Sequence, residues 1–129
     1  MRSYRVKKQR AVSISEDGGV TWTKPKYNPT LVESVCQASL LRYSFADGKK
    51  TRSRLLFTNP ATPSGRHHLT VRLSDDEGQT WPVSRFIYAG SAAYSCLTVL
   101  PNGEVGLIFE RDNYSKLSFL RFSIDDLKN

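Results

Sequence analysis

The chain has 129 residues, room for one domain-sized core or for a part of a larger one. Its 19 Lys and Arg against 12 Asp and Glu leave a formal charge of +7, which favours anionic partners (acidic sugars, nucleic acid, a membrane surface) and selects none of them. No apolar run approaches a membrane span, Met1-Arg2-Ser3-Tyr4-Arg5 is no signal peptide, and Cys36 and Cys96 make neither a disulfide framework nor a zinc pattern. No metal or cofactor is implied, and the compartment stays open.

Residues 1–10 are basic and polar and lead into a strand over 10–15. Residues 24–30, with Pro25, Asn28 and Pro29, read as a loop. A strand over 39–43, a turn at Ala46-Asp47-Gly48 and a strand over 54–58 follow. A second loop, 59–65, delivers Arg66. Strands over 68–74 and 86–88 close that sheet. A further meander runs through 96–100, a turn at Pro101-Asn102-Gly103, 105–110 and 116–123. Asn-Gly between alternating runs is a strong hairpin signal.

One octet organises this series. Ser15-Glu16-Asp17-Gly18-Gly19-Val20-Thr21-Trp22 returns 59 residues later as Ser74-Asp75-Asp76-Glu77-Gly78-Gln79-Thr80-Trp81. Both copies read S-x-D-x-G-x-T-W. The Asp carboxylate can bond backbone N–H groups further along the turn, Gly accepts a positive φ, and Trp restarts the chain with a large apolar anchor. Ser15, Asp17, Gly19 and Trp22, with Ser74, Asp76, Gly78 and Trp81, are therefore read as structural fasteners. Ser123-Ile124-Asp125 begins a third copy.

The repeat extends beyond the octets. Cys36-Gln37-Ala38-Ser39 and Cys96-Leu97-Thr98-Val99 each open a meander one step after an octet. That gives a four-strand unit over roughly 36–90, half a unit before it and most of one after. The fold class is all-β: a partial β-propeller of about two and a half blades, each a four-stranded antiparallel meander. A closed propeller needs more blades, so residues 1–129 read as the C-terminal portion of a longer propeller domain with no internal boundary.

Tyr94 follows the small residues Gly90-Ser91-Ala92-Ala93, which leave its phenol approachable. By residue type alone it is a core or rim tyrosine. The octet resembles the Asp-box (BNR repeat) of sialidases and other propellers, and further segments sharpen this. Residues 93–111 are similar to the nucleophile segment of exo-α-sialidases. Phe57-Thr58-Asn59-Pro60 with Arg66 and residues 69–74 resembles the segment carrying the third arginine of their triad. Met1-Arg2-Ser3-Tyr4 resembles the segment carrying the second, and Val35-Cys36-Gln37-Ala38-Ser39 a stretch whose Gln lies near the ligand.

The resemblance implies a six-bladed sialidase-type propeller that releases terminal α-linked sialic acids from glycoconjugates. It implies Tyr94 as nucleophile, Arg2 and Arg66 as clamps on the substrate carboxylate, Gln37 lining the sugar pocket, and Glu110 steadying an arginine of the triad. The chemistry is coherent. A guanidinium stays ionised and offers paired donors that match a carboxylate. A carboxylate nucleophile would be repelled by the sugar's own charge, whereas a phenol attacks as a neutral group until its proton leaves; sialidases are a known tyrosine exception among glycosidases.

The family's first arginine, its Asp acid/base and the Glu that activates the tyrosine have no counterpart here, so the isolated chain is expected to lack normal sialidase activity. Glu33, in Leu31-Val32-Glu33-Ser34-Val35-Cys36, reads as a solvated loop carboxylate and not a substitute base. His67 and His68, adjacent in a strand, should point to opposite faces. Basic residues at 7–10 and 49–54 fall at separate turns and read as a solvated rim, which argues against a nucleic-acid partner. Both cysteines are expected to be buried thiols. The rival from another class is a non-catalytic Asp-box module that binds glycan or protein, in which Tyr94 and the arginines are ordinary residues. Open sheet edges would promote self-association of such a partial ring.

Overall fold

The computed structural model describes residues 7–48 and 52–129. The described residues form eight strands: β1 (Gln9–Val12), β2 (Lys26–Val32), β3 (Ser39–Ser44), β4 (Arg54–Pro60), β5 (His67–Ser74), β6 (Val83–Val99), β7 (Val105–Arg111) and β8 (Lys116–Phe122). A 3-10 turn, Asp125–Leu127, follows. Among the described residues no helix is long and apolar enough to cross a membrane.

All pairing is antiparallel between sequence neighbours, as hairpin connections require. β1 and β2 form a two-stranded ribbon, and β3 to β8 form a six-stranded series in chain order. That series is two sheets sharing one strand. The first half of β6 pairs with β5 (Leu73 opposite Val83, Leu69 opposite Tyr88), the second with β7 (Ser95 opposite Phe109, Val99 opposite Val105). The units are thus one four-stranded meander, a two-stranded piece before it and a three-stranded piece after it, as expected of a partial sialidase-type β-propeller.

The core lies where the two sheets face each other. Leu56, Leu69, Val71, Leu73, Leu97, Val105, Leu107 and Phe109 are buried there, with Ile124 and Leu127 of the terminal turn closing one end. These positions alternate along β5 and β7, so period-2 patterning places one apolar face of each strand inward. A smaller cluster of Leu31, Phe57 and Trp81 joins β2 to the outer face of the four-stranded sheet. A groove of about 1170 Å³ remains beside it, lined by Ile14, Trp22, Leu31, Leu40, Phe57 and Trp81 among others.

Several expectations are corrected. Residues 24–30 are not a loop, because β2 occupies most of them. Pro29 is tolerated because β2 is an edge strand whose pairing jumps from Arg10–Asn28 to Gln9–Val32, leaving Pro29 in a bulge without a ladder partner. The strands expected over 86–88 and 96–100 are one continuous β6. The third octet does not form: Ser123 donates through its N–H (2.7 Å) and Oγ (2.9 Å) to Asp126, one residue beyond the box position, and the chain enters the 3-10 turn instead. Cys36 is buried as expected, but Cys96 is exposed because alternate residues of the second half of β6 face away from the core.

Candidate functional site

Tyr94 sits where β6 passes from the first sheet to the second. A bulge between Ala92 and Ser95 puts one extra residue on β6. The freed Tyr94 N–H donates to Glu110 Oε2 on β7 at 3.1 Å. Ala92 and Ala93 are buried beneath, while Tyr94 is 46% exposed. Its ring borders an open pocket of about 390 Å³ shared with Gln37, Cys96, Ile108, Glu110 and Leu117.

Arg66 reaches this place from the turn before β5. Its carbonyl accepts the Ala92 N–H at 2.8 Å, which ties the turn to β6 two residues from Tyr94. Its guanidinium carbon lies 5.7 Å from the Tyr94 ring centroid. Nη1 donates to the Tyr114 hydroxyl at 3.1 Å and Nη2 to the Val35 carbonyl at 3.0 Å. Burial works against the Arg66 charge, but the Cys36 sulfur and the Tyr114 and Tyr94 hydroxyls outweigh it and hold the group above its ordinary value. A permanent cation therefore stands beside a phenol.

Gln37 borders the pocket, and its amide is committed to the backbone. Nε2 donates to the Ser95 carbonyl and Oε1 accepts the Ser95 N–H, both at 3.0 Å. A third bond, Nε2 to the Ala38 carbonyl at 2.9 Å, completes the set. Gln37 thus splices the strand of Tyr94 to the loop before β3. Glu110 likewise holds the Tyr94 backbone; no arginine among the described residues meets its carboxylate. Arg2 lies outside the described residues.

Glu33 overturns its expectation. It is fully enclosed (0% exposed), and Oε2 meets Arg10 Nε at 2.6 Å. His67 and His68 also depart: their rings lie edge to face with centroids 4.7 Å apart, because His68 adopts φ +59° at a bulge and its side chain swings to its neighbour's side. Sequence reasoning missed Tyr114. It stands in the β7–β8 turn, where Asp112, Asn113 and Tyr114 all have positive φ. The only local signal was a polar Asp-Asn pair after a strand.

Both octets fold as fasteners. In the first, Ser15 Oγ donates to Asp17 Oδ1 at 2.8 Å and accepts Gly19 N–H at 2.7 Å, while Asp17 accepts Thr21 N–H and Oγ1 at 2.9 and 2.6 Å. In the second, the same four bonds run from Ser74 and Asp76 to Gly78 and Thr80 at 2.6 to 2.9 Å. Both stand away from Tyr94, closing the β1–β2 and β5–β6 hairpins.

Antiparallel meanders fastened by such octets define an Asp-box β-propeller segment. Residues 1–107 match the BNR repeat-like domain, and the chain belongs to that family. Among curated proteins it is 40% identical over 104 residues to a sialidase of Micromonospora viridifaciens, covering 78% of this chain and 16% of the relative. It is 33% identical over 124 residues to a sialidase of Bacteroides fragilis, covering 93% and 22%. Among solved structures the Hadza microbial sialidase Hz136 superposes with a TM-score of 0.80 at 34% identity, covering 93% of this chain and 24% of that one. The chain spans about a fifth of the length of the curated relatives it matches.

Proposed function

We propose that this chain is the portion of a retaining exo-α-sialidase that supplies the tyrosine nucleophile and a carboxylate-binding arginine. One observation carries the reading: the Arg66 guanidinium carbon lies 5.7 Å from the ring centroid of Tyr94, and that ring borders an open pocket. In this reading Arg66, with Arg2, pairs with the sugar carboxylate, which sits on the anomeric carbon itself. That fixes the carbon against the Tyr94 phenol, whose oxygen forms a bond to it as the bond to the leaving alcohol breaks. Water then releases the sugar from tyrosine. Glu110 and Gln37 act on the backbone of Tyr94 and Ser95, so they are positioning residues and not groups that touch the sugar.

The proton taken from the phenol and the one given to the leaving group both need partners. Among the described residues Glu110 spends an oxygen on a backbone N–H and Glu33 is enclosed with Arg10. The isolated chain therefore binds sialic acid without cleaving it, and its partners are sialylated glycans. Titration with sialic acid and with neutral galactose tests this. The chain should bind the former alone, Arg66→Met should weaken binding at least about tenfold as one charged hydrogen-bonding contact is lost, and a fluorogenic sialoside should stay intact. Equal affinity for galactose, or unchanged binding by Arg66→Met, would refute the sialidase reading in favour of an unrelated Asp-box module. Turnover near that of a whole enzyme would refute the inactivity.

A further inference from the structure

The loop between β2 and β3 is held from two sides by arginines that come from distant parts of the chain. On one side, Glu33 Oε2 meets Arg10 Nε at 2.6 Å and Glu33 Oε1 accepts the Cys36 N–H at 3.0 Å. Arg10 Nη2 donates to the Cys36 carbonyl at 2.6 Å, and the Glu33 N–H donates to the Lys8 carbonyl at 2.9 Å. On the other side, Arg66 Nη2 donates to the Val35 carbonyl. Val35 itself adopts φ +59°, a left-handed conformation that a β-branched residue holds only when its surroundings impose it. Two residues further on, Gln37 brackets Ser95.

An enclosed ion pair is weak evidence for stability, since apolar replacements of equal volume often serve as well. Geometry is the better account here, because the pair fixes a loop whose other side touches both Arg66 and the strand of Tyr94. We propose that Arg10 and Glu33 are positioning residues: by clamping residues 33–37 they aim the Arg66 guanidinium at Tyr94 and hold the Tyr94–Ser95 backbone through Gln37. Its bearing on sialic acid rests on the functional reading above; the clamp itself does not.

Side-chain NMR of arginine Nε–H groups in the full chain tests it without any substrate. The Arg66 signal, assigned by its loss in Arg66→Lys, should carry a ring-current shift from Tyr94. In Glu33→Gln it should move toward the unfolded-chain position and exchange with water about tenfold faster or more. The Arg111 Nε–H, bonded to Ser118 Oγ at 2.6 Å on the far sheet, should not change. Arg10→Lys keeps the charge but loses the fork, and is read the same way if Glu33→Gln does not fold. An unmoved Arg66 signal in either folded variant, or failure of both to fold, overturns the proposal, the pair then being ordinary core. A displaced Arg66 in a chain that ignores sialic acid leaves the clamp standing and ends the sialidase reading; a fixed Arg66 in a sialic-acid-binding variant does the reverse.

Discussion

The two octets have the same internal bonds and opposite surroundings. Ser15 and Ser74, Asp17 and Asp76 make matching contacts, yet Trp81 is 6% exposed and Trp22 63%. The difference lies in what stands beside each hairpin. Trp81 packs edge to face on Phe57 (centroids 5.8 Å apart) and against Leu31 of the preceding ribbon. Trp22 has no preceding sheet beside it among the described residues, and turns its indole N–H to the Gly19 carbonyl at 3.0 Å. The octet is thus a local device that folds a turn, and its tryptophan becomes a core residue only when a neighbouring sheet arrives. The second octet also carries an outer layer: Glu77 is paired with Arg42 and Ser53, which together lower its pKa to about 2.

Removing each indole should separate the two roles most sharply. Trp81→Ala should cost about 3–5 kcal/mol, as large aromatic truncations in a core do, whereas Trp22→Ala should stay within about 0.5 kcal/mol, as exposed substitutions do. Urea unfolding of both variants measures this, and similar losses would show that Trp22 is packed after all. A subtler effect concerns association. β3 and β8 have open edges among the described residues, and Ile14, Trp22 and Leu40 are exposed along the groove. The chain should self-associate as concentration rises, and Trp22→Ser should weaken that association several-fold by light scattering or sedimentation, while Trp81 emission stays blue.

The smallest effect is the pH response. Asp17 is lowered to about 2, chiefly by the Thr21 hydroxyl, then by the Thr21 N–H and Ser15; Asp76 is lowered by the equivalent groups of Thr80 and Ser74. Folded carboxylates below the unfolded value of about 4 stabilise the fold fully above that pH. Their contribution is lost as pH falls from about 4 toward 2. Amide exchange at Thr21 and Thr80 should accelerate in that window, first at Thr21, where no packed tryptophan holds the turn. Equal acceleration at both would argue that packing does not reach the turn.

Much of this architecture was legible because its signals are local. The octets, the Asn-Gly turn and the alternating runs each state their structure within ten residues. β2 was hidden by Pro25 and Pro29, since nothing local tells a bulged edge strand from a loop. β6 was split by Gly90 and its small neighbours, which serve here to let one strand bend between sheets. The Arg66–Tyr94 meeting was legible only through family resemblance, the two being 28 positions apart. Glu33 and Tyr114 were misjudged or missed because their partners, Arg10 and Arg66, lie far along the chain, and His68 because a left-handed residue breaks the two-residue alternation of a strand.

The unbroken course of β6 has one more consequence. A phenol mounted on a rail that belongs to two sheets keeps its place whatever happens to the lengths of the surface turns on either side. Insertions at 46–48 or 101–103 leave that rail intact, whereas a single residue added between Gly90 and Tyr94 would rotate everything downstream to the opposite face. Variation in a lineage built this way is channelled into the rims, and the junction between sheets becomes the part least free to drift.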